Sequence, residues 1–170
     1  MSIDTLKSFV SRDGGYARSN RFAVSFAAPG IAASSEYITY MCESVSIPGK
    51  QITSFEYPFQ ALANAVKVPN GYTFDDVTCI FNLTHSYEMK KTFDTWMSNI
   101  ITPNYLLNYT NSYETTVLIE QLNTYNQAIY GIELRNAYPI TMQAIDLSNA
   151  TTDEISKLSV TFTFTDAVPV

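Results

Sequence analysis

The chain has 170 residues, 10 Lys+Arg against 16 Asp+Glu, a net charge of -6, and only 15% charged residues. Its polarity is carried by 19 Thr, 16 Ser and 12 Asn, and its aromatics reach 14%. This is too apolar and aromatic for a disordered chain, and it lacks the basic footprint of a nucleic-acid binder. It has no run of about 18 apolar residues to span a membrane. The start, Met1-Ser2-Ile3-Asp4, has neither the basic nor the apolar region of a secretory signal. The length predicts one domain over 1–170.

In chain order, Ile3, Leu6, Phe9 and Val10 recur at helical spacing, and Gly14-Gly15 stops the pattern. Phe22, Val24 and Phe26 then alternate with Arg21, Ala23 and Ser25, a strand signature. Further strands are expected over 37–47, 51–59 and 64–69, with Pro48-Gly49 and Asn70-Gly71 as turns. Val77, Cys79, Phe81 and Leu83 share one face of the next strand. A second helix follows, with Ser86 as its expected cap, Glu88 in its first turn and Pro103 as its end. Its apolar face is Phe93, Trp96, Met97, Ile100 and Ile101.

Strands are expected again over 114–122, 128–137 and 140–147. The last segment is the cleanest: Leu158, Val160, Phe162 and Phe164 against Lys157, Ser159, Thr161, Thr163 and Thr165. Segments 51–59 and 114–122 alternate without a clear buried side, so a lone copy would expose apolar groups and strand edges. Pairing with other copies is one way to cover them. The expected fold is mainly β, a sandwich or barrel with one helix packed on it and a short N-terminal helix.

Chemistry is sparse. His85 is the single histidine and reads as a loop or cap residue, with no nucleophile elbow in the chain. Asp75-Asp76 reads as a turn or strand-entry pair, because no further ligand stands at metal-site spacing. No phosphate-binding glycine loop or dinucleotide fingerprint occurs. Cys42 and Cys79 are far apart and read as buried thiols in a reducing compartment. The glycosylation sequons at Asn82, Asn108 and Asn149 are expected by chance in so Asn- and Thr-rich a chain. Neither an enzyme, a cofactor nor a metal site is expected.

Several ordered motifs resemble the tail tube protein family of contractile-tailed, T4-like bacteriophages. Gly15-Tyr16-Ala17-Arg18-Ser19-Asn20-Arg21-Phe22 resembles the opening of that family's first strand, through Arg18, Asn20 and Phe22. Cys42 to Gly49, with Pro48, is similar to a strand ending in an apolar-Pro turn. Tyr72-Thr73-Phe74-Asp75-Asp76 stands where the family has Thr-Phe-Asp-Asp. Phe93, Asp94 and Trp96 resemble its Phe-x-Asp-Trp helix, although Thr95 intervenes here. Ala137-Tyr138-Pro139 and the closing strand through Phe164 complete the series. Segment 103–126 departs from the pattern.

The resemblance implies a non-enzymatic subunit whose hexameric rings stack into a hollow tube. Its partners would be other copies of itself, the tail sheath protein, a baseplate tube initiator and a tail terminator. Viral DNA would pass through the lumen without specific binding. The tube would belong to the virion tail and assemble in the host cytoplasm. Neutral and acidic walls suit such a conduit, because Lys and Arg would hold phosphates through counterion release. Expected lumen acids are Glu43, Glu56, Glu114, Glu120 and Glu133, all on expected strands. Asp75 and Asp76 are expected to be structural, Phe93 and Trp96 to anchor the helix, and Lys90, Lys91 and Asp94 to face the sheath. The alternatives are the tube of a phage-derived injection particle and, from another class, a monomeric carbohydrate-binding β-sandwich.

Overall fold

A computed structural model describes the whole chain except residues 1, 13, 28, 30–34, 58–65, 103 and 149–153. Among the described residues, seven strands form one hydrogen-bonded sheet. They are β1 (Phe22–Phe26), β2 (Cys42–Val45), β5 (Val77–Asn82), β6 (Thr115–Leu122), β7 (Ala128–Met142), β8 (Lys157–Thr163) and β9 (Asp166–Pro169). Their order is β1-β6-β7-β8-β5-β2, and β9 also pairs with β7. Two more strands, β3 (Lys50–Tyr57) and β4 (Val66–Phe74), make a separate antiparallel ribbon. The helices are α1 (Ile3–Arg12), α2 (Ser35–Met41) and α3 (Glu88–Ile100).

The sheet turns back on itself through β7. The first part of this 15-residue strand pairs with β6 and β9, and its last residues pair with β8. Asn136 sits between them at φ 54, and the β7–β8 register shifts between Pro139 and Thr141. A left-handed residue beside an irregular pairing bends a strand and lets it change sheets. The two segments expected at 128–137 and 140–147 are therefore one bent strand, ending at Met142. The chain makes the matching bend between β8 and β9, where Thr165 N–H donates to the Arg135 carbonyl at 3.0 Å. The β9 strand was not anticipated.

The inward faces of the two halves meet in one core. Val24 and Phe26, Val77, Cys79 and Phe81, and Leu158, Val160 and Phe162 are buried, as their alternation predicted. Strand β6 corrects its reading: Val117 and Ile119 are buried, so this segment does have a core side. Helix α3 contributes Met89, Thr92, Phe93 and Trp96 to the core. Phe93 and Trp96 stack at 6.1 Å and 10°, and both contact Phe26 and Phe162, so the helix joins the two halves. The buried Trp96 indole donates to the Tyr113 carbonyl at 2.8 Å. Aromatic clusters of this kind contribute beyond their area through edge and offset contacts.

Four local expectations are corrected. Ser86 does not cap α3: the cap is Tyr87, left-handed at φ 54 with no side-chain bond, while the Ser86 hydroxyl pairs with that of Thr84 at 3.0 Å. The helix ends at Ile100, before Pro103, which lies outside the described residues, and Ile101 is exposed rather than part of the buried face. Residues 37–41 are helical, not extended. Ile38 is buried, and the Thr39 hydroxyl donates to the Val24 carbonyl at 2.8 Å, so tertiary contacts override β-branched propensity. Asn70-Gly71 is not a turn but part of β4, opposite a register shift at Thr53/Ser54. The ends of the segments expected at 51–59 and 64–69, and the Asn149 sequon, lie outside the described residues.

Candidate assembly surface

The ribbon β3–β4 continues the paired strands β2 and β5 beyond the body. Pro48-Gly49 links β2 to β3, and Asp75-Asp76 links β4 to β5. The two links are joined: Asp75 N–H donates to the Gly49 carbonyl at 3.3 Å. A Cβ on Gly49 would lie 3.0 Å from Asp75 Oδ2, the end of an exposed side chain that can move aside. Asp75 and Asp76 are exposed at this junction. Phe74 anchors the root of the ribbon against Phe164 at 5.7 Å, and Lys50 lies over the Tyr72 ring at 4.1 Å.

Beyond its root the ribbon is bare. Every residue of β3 is exposed, and every residue of β4 except Phe74. The register places Phe55 opposite Val68 and Tyr57 opposite Val66 on one face, with Glu56 opposite Lys67 on the other. A two-stranded ribbon is marginal alone in water, and its outer edges carry unpaired backbone groups. Four apolar side chains on one face of such a ribbon mark an interaction surface. Sequence reading found the lack of a buried side in 51–59 but missed Val66 and Val68 as its partners.

A cleft of about 490 Å³ opens between β1 and β2, the two end strands of the sheet order. Phe22, Val45, Ile47 and Ile119 give it apolar walls, and Glu43 and Glu120 line it too. On β2 and β5, Cys42 and Cys79 are both free and buried. The hydrogen bond from Cys79 holds the Cys42 thiol below its ordinary range. Donating that bond, together with burial and repulsion by Cys42, pushes the Cys79 thiol well up.

The five lumen candidates do not share a face. Glu120 and Glu133 lie diagonally on the outward face of the β1–β6–β7–β9 half, because Glu120 opposes Gly131 and Leu118 opposes Glu133. Glu133 pairs with Arg135 at 3.2 Å. Glu43 lies on β2 in the other half and pairs with Lys157 at 2.6 Å. Glu56 is on the ribbon, opposite Lys67. Glu114 is not on a strand but in the loop before β6.

Of the motif residues, Phe93, Trp96 and Pro139 are buried, and Phe22, Pro48 and Phe74 are half-buried. Arg18 and Asn20 are exposed, and the Arg18 carbonyl accepts from Gln121 Nε2 at 2.8 Å. Sequence reading passed over Arg21. Its guanidinium reaches the carbonyls of Asn123 and Thr124 and the Oδ1 of Asn126, fastening the turn between β6 and β7. His85 is exposed in the turn before α3.

A bent antiparallel β-sandwich, a helix bridging its halves and a bare ribbon define a building block for assembly. Among the described residues no helix is long and apolar enough to cross a membrane, and no group of three potential metal ligands occurs. The family model described as "Phage tail tube protein" matches residues 17–167, and the chain belongs to that family of structural tail proteins. No curated protein matches it in sequence.

Among solved structures, the fold is similar to a chain of the extracellular contractile injection system PVC, in its extended sheath–tube complex. The TM-score is 0.67 and the identity 15%, over 100% of this chain and 98% of that one. It is also similar to a chain of the anti-feeding prophage (AFP) baseplate, with a TM-score of 0.68 and 12% identity, over 91% and 95% of the two chains. The SPP1 tail tube protein follows at a TM-score of 0.52 and 9% identity, over 91% and 78%. At these identities the likeness is one of fold.

Proposed function

We propose that six copies form a ring, that the rings stack into the inner tube of a contractile virion tail, and that viral DNA passes along its lumen. The bare ribbon carries this reading. Its apolar face and free edges are costly on a lone molecule and find partners in neighbouring copies. Ring-to-ring contacts are then heterologous, and they propagate into a filament because they do not close. The tail sheath protein would surround the tube, with a baseplate initiator and a terminator at its ends, and assembly would occur in the host cytoplasm. Lys90 and Asp94, paired at 2.6 Å on the exposed side of α3, and Lys91 are assigned to the sheath side.

The lumen wall is assigned to the outward face of the β7–β8–β5–β2 half, extended by the ribbon. There Thr141 opposes Thr161, Ser159 opposes Ile80, and the hydroxyls of Thr78 and Thr161 lie 3.2 Å apart. Lys157 on this face is neutralised by Glu43. A neutral hydroxyl wall releases no counterions from DNA and so does not hold it. Of the acidic candidates this assignment keeps Glu43 and Glu56 for the lumen. Electron microscopy of the purified chain tests the reading: hollow tubes or rings are expected. A monomer at all concentrations that also fails to extend a baseplate-bound seed would overturn it.

A further inference from the structure

We propose that Cys42 and Cys79 form a redox modification site: a peroxide oxidises the pair to an intrachain disulfide that clasps β2 to β5 at the root of the β3–β4 ribbon. Both thiols are free, and they are 8% and 0% exposed. Cys42 opposes Phe81 and Cys79 opposes Val45, so the cysteines are diagonal neighbours across the β2–β5 ladder. In a regular ladder such a pair stands about 7–8 Å apart between Cα atoms, at the limit of a disulfide's reach. Here a register shift between Cys42 and Ser44 breaks the ladder, and the two thiols are themselves in hydrogen-bond contact.

The two sulfurs have unequal chemistry. Cys42 is the more readily ionised and retains some exposure, so it is the one that meets an oxidant. Cys79 is wholly buried, keeps its proton and points it at Cys42, which suits a resolving thiol. The Cys42 thiolate attacks one peroxide oxygen, the O–O bond breaks and a sulfenic acid forms. The leaving hydroxide takes up the proton that Cys42 gave away and becomes water. Cys79 then attacks the sulfenic sulfur, the S–S bond forms, and the S–O bond breaks to release a second water with the Cys79 proton. Two thiols thereby lose two electrons, and one peroxide gains them.

The position of the pair gives the bond its effect. Residues 43–78, with all of β3 and β4, lie between the two cysteines. The bond therefore turns the ribbon-bearing segment into a closed covalent loop, which restricts the unfolded chain. Between the cysteines and the ribbon, Ser46 N–H donates to the Thr78 carbonyl and Asp75 N–H to the Gly49 carbonyl, both at 3.3 Å. A covalent clasp secures a root that such long bonds hold. In a virion that leaves a reducing cytoplasm, the clasp would close after release. That consequence alone rests on the tail reading.

The test treats the purified full-length chain with hydrogen peroxide, alkylates the remaining thiols and maps the peptides by mass without reductant. The peptides of Cys42 and Cys79 should be linked within one chain and lighter by two hydrogens. The melting midpoint should rise by about 5 °C or more and fall back with dithiothreitol. In Cys79→Ala, peroxide should leave Cys42 as a sulfenic acid that dimedone traps. In Cys42→Ala, Cys79 should stay unmodified over the same time.

Four results overturn the site: both thiols intact in the folded chain under conditions that link them in urea; Cys42 taken to sulfinic acid with Cys79 still free; a link between two chains; or a link that leaves the melting midpoint unchanged or lower. Mapping of the wild type decides by itself if a variant fails to fold. Assembly plays no part in these readouts, so a chain that forms the bond and never makes tubes loses the tail reading and keeps the site.

Discussion

Strands β8 and β3 have much the same sequence signature and opposite fates. Both set large apolar residues among polar ones: Leu158, Val160 and Phe162 around Ser159 and Thr161 in one, Ile52, Phe55 and Tyr57 around Thr53, Ser54 and Glu56 in the other. The three residues of β8 are wholly buried, whereas those of β3 are 67%, 46% and 56% exposed. The difference is company. Strand β8 has β5 on one side, β7 on the other and the aromatic face of α3 beneath it, while among the described residues β3 has only β4. Alternation states that a strand has an apolar face; it does not state which molecule covers that face. In the proposed tube, the first kind of strand would hold the monomer together and the second would meet the neighbours.

This contrast breaks most sharply in the core. Phe93→Ala should destabilise the monomer by about 3–5 kcal/mol, because a ring packed on Phe26, Phe81, Trp96 and Phe162 leaves a cavity. Urea unfolding reads this directly, and a loss under about 1 kcal/mol would mean that the cluster does not carry the fold. The ribbon should respond in the opposite way. The pair Phe55→Ser with Val68→Ser should leave monomer stability within about 0.5 kcal/mol while abolishing tubes in electron micrographs. If the monomer instead unfolds, the ribbon belongs to the core after all.

Smaller effects sharpen the boundary between the two regions. Gly49→Ala meets only the movable Oδ2 of Asp75 and should shift stability by at most about 1 kcal/mol in a thermal melt. Thiol alkylation at mildly alkaline pH should label Cys42 before Cys79, since Cys42 is the more readily ionised of the pair, and mass mapping of the labelled peptides checks that order. The smallest change is expected from Glu43→Gln. Its ion pair with Lys157 is about half exposed, so stability should fall by no more than about 1 kcal/mol. In an assembled tube, the lone Lys157 should slow DNA passage, which ejection kinetics would register.

The readings that held are those whose cause is local. Val24 and Phe26 in β1, Val77, Cys79 and Phe81 in β5, and Leu158, Val160 and Phe162 in β8 turn inward because side chains alternate on any strand with one covered face. Phe93 and Trp96 are buried because a spacing of three puts them on one side of a helix. Among the readings that failed, some depend on distant partners. Residues 37–41 carry strand-forming side chains, yet they coil because Ile38 and Thr39 find β1. Glu43 and Glu120 are 77 positions apart, and no periodicity could announce that both line one cleft.

The sequence by itself thus determined the β class, the inward residues of the regular strands, the anchoring helix and the tail tube family. Those follow from short-range stereochemistry and from motifs that keep their order along the chain. Only the tertiary structure decided that two expected strands are one bent β7, that the acidic candidates scatter over both halves, the ribbon and a loop, and that a cleft opens between the two end strands. Bends, faces and gaps arise from pairings across the chain, where the geometry of one strand is set by another far away in sequence.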